Sequence, residues 1–306
     1  MIAQPDRIVP TGDCVSPVAM KSDCLSQHFA GGNIDQATVA GFGDEWAAFD
    51  QSALDDAEWR ALFERYFAIF PWAVLPDNAQ GFDLGCGSGR WAAGVAPRIG
   101  HLHCIDPAVD ALQVARRRLA DISQVSFHHA AVDAIPLPDA SQDFGYSLGV
   151  LHHVPDTAGG LKSCVAKLKP GAPFLLYLYY AFDNRGAAFR ALWRASDLLR
   201  RGVSRLPFGL RRLVCDGVAG LVYWPLARGA ALGEALGLRV DHWPLAPYRH
   251  GSFYTMRTDA LDRFGTRLEQ RFTREQIRAM MEAAGLSDIL FSENVPYWVA
   301  VGYRRG

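Results

Sequence analysis

From Pro76 to about residue 181, short apolar runs alternate with segments of helical period, and this alternation restricts the chain more than any other feature. Strands are predicted near 80–84, 101–105, 125–130, 143–148 and 172–179, with helices near 89–97, 107–119 and 156–168. Strands joined by helical crossovers pair in parallel and need helices on their faces, so the stretch predicts an α/β fold built on a doubly wound, mostly parallel sheet. Order of this kind returns late. Thr273 and Gln276 stand in capping-box positions ahead of apolar Ile277, Met280, Met281 and Ala284, with Gly285 as the stop, and strands are expected near 287–292 and 297–303.

Residues 182–260 break the alternation. The segment opens as a basic amphipathic helix, with Phe189, Leu192, Trp193 and Leu199 on one side and Arg190, Arg194, Asp197 and Arg201 on the other. A solvated face is the ordinary reading of such an arginine stripe; an anionic surface is the alternative. The remainder, rich in Trp, Tyr and Pro, is too aromatic for a linker and reads as a folded insertion over the core. Upstream, Trp59, Leu62, Phe63, Tyr66, Phe67 and Phe70 predict a helix ending at Pro71, with acids at Asp55, Asp56 and Glu58 favoured by its dipole. Residues 1 to about 35 read as a loose arm. The resulting division is an N-terminal arm and helical cap (1–75), a core (76–181 and 261–306) and a lid or acceptor insertion (182–260).

A net charge of −1 provides no overall field for nucleic acid or an anionic membrane. The uncharged runs fall short of the roughly 20 residues that span a bilayer. The first residues carry acid and proline where a secretory leader needs a basic start, so a cytoplasmic chain is expected. Cys14, Cys24, Cys86, Cys104, Cys164 and Cys215 are scattered, without a C-x-x-C pair or a His/Cys cluster at ligand spacing. Free thiols and no metal are the expectation.

The chemistry begins in residues 81–90, Gly-Phe-Asp-Leu-Gly-Cys-Gly-Ser-Gly-Arg, an apolar strand followed by a glycine-rich turn and a helix. Gly85, Gly87 and Gly89 let the backbone approach a ligand, and the following helix offers free N–H groups to an anion. The spacing is G-x-G-x-G. The dinucleotide fingerprint wants its third glycine where Arg90 stands. Asp83, at the carboxyl end of the strand, would repel a pyrophosphate and attract a cation. Asp106 closes the second strand, where an acid can accept both hydroxyls of a ribose.

With these residues the chain resembles the class I S-adenosylmethionine-dependent methyltransferases, over residues 81–168 and more weakly over the last helix and strands. Asp83-Leu-Gly-Cys-Gly-Ser-Gly89 is similar to the family's first motif, including Cys86, and Asp106-Pro107 to its ribose-binding acid. Val132-Asp133-Ala134 is similar to the segment that contacts adenine. The run from Leu148 and Gly149 through His152 and His153 to Asp156 resembles the fourth-strand end of the bacterial branch that acts on small molecules, and Gly41 to Trp46 resembles that branch's lead-in. The resemblance implies a Rossmann-like fold, S-adenosyl-L-methionine as methyl donor with S-adenosyl-L-homocysteine as product, and a small-molecule acceptor. No nucleic acid is implied, and a homodimer is compatible with it.

Methyl transfer needs alignment of nucleophile, methyl and sulfur more than any metal. His152 and His153 are candidate bases; packing or a hydrogen bond to cofactor is the competing role for each. Tyr179 and Tyr180 are candidate pocket walls, and Arg249 and Tyr254 candidate acceptor contacts. Oxygen, nitrogen, carbon and sulfur acceptors all remain open, S-methylation of a small sulfur amino acid such as methionine among them. The competing functions are a non-catalytic S-adenosylmethionine-binding regulator and an NAD-dependent oxidoreductase. The insertion, with Phe42 and Trp46, is expected to close over the acceptor.

Overall fold

The computed structural model describes residues 32–51, 53–241 and 243–306. Most of the expected loose arm, with Cys14 and Cys24, lies outside the described residues.

Seven strands form one sheet: β1 (Gln80–Leu84), β2 (His101–Asp106), β3 (Val125–His129), β4 (Phe144–Leu148), β5 (Pro173–Tyr177), β6 (Leu286–Phe291) and β7 (Ala300–Arg304), in the order β3-β2-β1-β4-β5-β7-β6. All neighbours are parallel except β7, which runs antiparallel to both β5 and β6. This is the doubly wound sheet that the alternation predicts. The order reverses between β1 and β4, so the carboxyl ends of these two strands flank the crevice where such sheets bind ligands. Their contact is set by residue size. Gly81 faces Phe144 and Phe82 faces Gly145 in register, and a Cβ on either glycine would lie within 2.4 Å of the opposing ring.

Helices α1 (Gln36–Ala48), α2 (Asp56–Tyr66), α3 (Ala92–Val95), α4 (Val109–Arg118) and α5 (Thr157–Lys167) accompany the parallel half, and α10 (Arg274–Ala283) precedes β6. One core joins the inner side of the sheet to α5 and α10 through Phe82, Ile105, Leu161, Phe174, Ile277 and Met281. The other joins its opposite side to α2 and α4 through Phe63, Phe67, Leu112 and Tyr146. Asp55 caps α2 and Thr273 with Gln276 forms the capping box of α10. The helix expected over 89–97 is a single turn of α-helix and a 3-10 turn holding Pro97, a residue with no N–H to donate. α1 carries no apolar period to betray it, and its start is set by Asp35, which accepts the Thr38 N–H.

Residues 182–260 hold α6 (Ala187–Val203), α7 (Phe208–Val218), a π turn (Ala219–Tyr223) and α8 (Trp224–Ala235). α9 (Phe253–Gly265) runs through the boundary expected at 260. On α6 the expected apolar side divides: Phe189 and Trp193 pack on Phe182, whereas Leu192 and Leu199 are exposed.

Candidate cofactor and acceptor site

β1 delivers Asp83 and Leu84 to the turn at Gly85, Gly87 and Gly89, whose φ angles are +75°, +53° and +73°. Side chains other than glycine avoid this region, and here they are also excluded by neighbours. A Cβ at Gly85 would meet Val150 at 2.3 Å, and one at Gly87 the indole of Trp46 on α1 at 3.0 Å. Asp106 at the end of β2 holds the turn in place. Its Oδ2 accepts the Gly87 N–H at 2.9 Å and its Oδ1 the Ala108 N–H at 2.8 Å. Burial pushes this carboxyl up to about 6 against the pull of those two donors. Each oxygen keeps a second lone pair for a ribose hydroxyl.

Asp83 is 1 % exposed, and its Oδ2 has no hydrogen-bond partner among the described residues. Burial drives it up to about 8; the neighbouring Tyr146 hydroxyl lowers it in part, and Asp106 raises it. A buried acid in this state is relieved by a cation, and the ammonium of S-adenosylmethionine is such a group. Gly149, at φ +80°, closes β4 with its N–H on the Tyr177 carbonyl, and a Cβ there would meet nothing within 4 Å. Val132, Asp133 and Ala134 follow β3, and Asp133 Oδ2 accepts the Asn33 N–H at 2.8 Å. Asn33 also exchanges hydrogen bonds with the backbone of Asp156, so the lead into α1 is tied across this end. Cys86 is buried beside Cys104, and the Pro107 carbonyl pairs with His129 at 3.0 Å.

Comparison with known proteins agrees with this geometry. The methyltransferase domain family matches residues 82–176. A ubiquinone biosynthesis O-methyltransferase of Alkalilimnicola ehrlichii is 35% identical over 190 residues, covering 56% of this chain and 75% of the relative. The chain belongs to the class I S-adenosylmethionine-dependent methyltransferases. An uncharacterized methyltransferase of Mycobacterium tuberculosis is 34% identical over 150 residues, covering 49% of this methyltransferase and 73% of the relative. Demethylmenaquinone methyltransferase of Bacillus licheniformis is 24% identical over 182 residues, with 51% and 78% covered. The enzyme reading therefore holds, and the NAD-dependent one does not.

The turn after β4 buries both histidines that the sequence offers as candidate bases. His152 stacks on Tyr179 at 3.9 Å, and its Nδ1 accepts the Tyr179 N–H at 3.4 Å. His153 Nδ1 lies 2.7 Å from the Leu268 carbonyl, which assigns the ring proton to Nδ1. Nε2 is left with a lone pair, 3.9 Å from Asp262 Oδ1 on α9. Burial, above all, holds His152 well below the usual histidine range and lowers His153 to about 4, so both rings are neutral at pH 7. The Tyr179 hydroxyl donates to Asp262 Oδ2. Asp262 is pushed up to about 6 by burial, with Tyr179 opposing and Glu269 adding to the rise.

Not all expected groups meet here. Tyr179 has its ring against His152 and Arg271 and its hydroxyl on Asp262, so it positions other residues and does not offer a bare face. Tyr180, beyond the end of β5, packs instead on Phe182 and Tyr297. Arg249 is engaged by Glu234 and the Ala246 carbonyl, and the Tyr254 hydroxyl accepts the Gln51 N–H; neither touches the histidines. Residues that sequence patterns did not single out take their places. Asp259 and Asp262, one turn apart on α9, join Glu45 of α1 and the guanidinium of Arg263, which lies among Tyr179, Tyr223 and Tyr248. An i, i+3 pair of acids on a helix capped by Ser252 was the available signal.

The state of Asp83 has a measurable consequence. At pH 7 a carboxyl of pKa about 8 is mostly protonated, and a cationic partner favours the ionised form. Binding of S-adenosylhomocysteine at pH 7 is therefore expected to release about 0.9 proton, falling toward zero by pH 9, where the acid is already ionised. Calorimetry in buffers of different ionisation enthalpy measures the release. The Asp83→Asn variant should lose it, and release that persists in that variant would place the ammonium elsewhere.

Proposed function

We propose that this methyltransferase methylates a hydroxyl oxygen of a small-molecule acceptor, with His153 as the general base. The carrying observation is the buried, neutral His153 with its Nε2 lone pair 3.9 Å from Asp262 Oδ1. Bound S-adenosylmethionine supplies an electrophilic methyl group on a sulfonium sulfur. Asp83, the glycine turn and Asp106 would hold its ammonium, backbone-facing and ribose portions. The Leu268 carbonyl fixes the His153 tautomer, so that Nε2 takes the proton of the acceptor hydroxyl. The imidazolium so formed has the Asp262 carboxylate beside it, steadied by the Tyr179 hydroxyl. A thioether needs no base, so this arrangement favours an oxygen acceptor over the sulfur amino acid considered from the sequence. The activity named for the Alkalilimnicola relative, O-methylation in ubiquinone biosynthesis, supports the same reading.

The test is a panel of catechol, alcohol, amine and thioether acceptors followed by mass spectrometry across pH. Hydroxyl acceptors should be methylated at a rate that rises as Asp262 ionises through about pH 6 and stays level to about pH 9. His153, already neutral above about pH 4, contributes no limb in that range. Asp262→Asn should remove the rise near pH 6. Preferred thioether turnover, or a limb unchanged in Asp262→Asn, would overturn the assignment.

A further inference from the structure

The helices α6 to α8 carry an exposure pattern that methyl transfer does not use. Leu213, Leu221, Leu232 and Leu236 are 67 %, 82 %, 63 % and 71 % exposed. They recur at helical spacing along α7, the π turn and α8, which follow one another without a break. Every exposed residue from Pro207 to Leu238 is Pro, Gly, Ala, Leu, Val or Trp. Charged residues of that stretch are held by partners: Arg257 binds Asp216, Arg249 binds Glu234, and Arg228 donates to the Arg249 and Gly251 carbonyls. On α6 a second apolar row, Ala188, Ala191, Leu192, Ala195, Leu198 and Leu199, faces outward, and Arg190, Arg194, Arg201 and Arg205 border it. Such a surface on a folded chain marks a partner, because water leaves its leucines unsheltered.

Charge selects the partner. Residues 187–239 hold nine arginines and three acids, leaving 22 basic and 29 acidic residues for the rest of the chain. All three acids, Asp197, Asp216 and Glu234, are already ion-paired with arginine. A second copy related by a two-fold axis would set the α6 arginines against themselves. Nucleic acid would satisfy the arginines and leave the leucines idle. A bilayer interface with anionic headgroups satisfies both, the leucines entering the acyl boundary and the guanidinium groups meeting phosphate. Among the described residues no helix is long and apolar enough to cross a membrane, which fits helices lying in the interface plane. We propose that α6 to α8 seat this methyltransferase on the surface of an anionic lipid bilayer.

The experiment is sedimentation of the full chain with vesicles of phosphatidylcholine alone or mixed equally with phosphatidylglycerol, at about 0.15 M salt. Two double variants accompany it, Leu213→Gln with Leu232→Gln and Arg190→Gln with Arg194→Gln. Binding should be at least about tenfold tighter to the anionic vesicles, with a blue shift of tryptophan emission from Trp224 and Trp243, each about two-fifths exposed. The arginine pair should weaken it roughly 10- to 30-fold, since each arginine near the surface contributes about fivefold. The leucine pair should weaken binding to both vesicle types, and both variants should bind S-adenosylhomocysteine as the parent does, showing that they fold. Absent vesicle binding, or binding untouched by either pair, overturns the proposal. A dimer dissolved by the leucine pair without vesicle binding would assign the face to a second copy, and RNA retention lost only with the arginine pair would assign it to nucleic acid; either result also overturns it.

Discussion

His153→Ala is expected to lower turnover by about a hundredfold or more while S-adenosylhomocysteine affinity stays within a few fold. Loss of a positioned general base is worth about 10²–10⁴ in rate, and His153 contacts Leu268, Phe42, Tyr179 and Asp262, none of them in the cofactor turn. His152→Ala should behave differently. That ring is fully buried against Tyr179 with Nδ1 satisfied by a backbone N–H, so its removal leaves a cavity and lowers stability by about 2–4 kcal/mol. Steady-state kinetics with a hydroxyl acceptor, paired with thermal unfolding, separates the two. Equal turnover losses in both variants that track their melting temperatures would reduce His153 to packing.

The second large effect is at Asp106. Asp106→Ala should cut S-adenosylhomocysteine affinity by at least about tenfold where one ribose hydrogen bond is lost and by about a hundredfold or more where both are, at roughly 1.5–3 kcal/mol for each bond to a charged acceptor. The backbone adds to this, because the same carboxylate tethers Gly87 and Ala108 and its loss frees the glycine turn. Calorimetry on a variant shown to be folded gives the answer. Unchanged affinity would mean that the nucleoside does not sit at the end of β2.

Local periodicity made most of the sheet legible, because parallel strands buried on both faces appear as continuous apolar runs and the glycines between them have few alternatives. The placement of Asp83, Asp106 and the glycine turn at the strand ends was readable for the same reason: each lies within about 25 residues of the others and is placed by one βαβ unit. The acceptor side was not. His153 and Asp262 are 109 positions apart and meet only because α9 folds back over the β4 turn. Arg249 was the guanidinium expected at the acceptor, yet it faces Glu234, while Arg263, which no pattern singled out, lies among the buried tyrosines, a choice made by packing and invisible to spacing. The sides of α6 were misjudged similarly, since periodicity shows that leucines share a face with Phe189 and Trp193 without showing how wide a strip the core will cover.

α9 deserves a different description from the one its position implies. Its inward turn carries Asp259 and Asp262, with Arg263 next to them, while every group proposed to hold the donor comes from the sheet and its loops. The proposed donor socket is thus built from strand ends, whereas the proposed acceptor side joins α9 to the turn after β4. Under that division, changing what is methylated would require resurfacing about two turns of one helix and its facing tyrosines, with the donor socket left intact. Libraries aimed at new acceptors would on that proposal vary the inward polar positions of α9 and keep Met256, Ala260, Leu261 and Phe264, which the same helix buries in a core of its own.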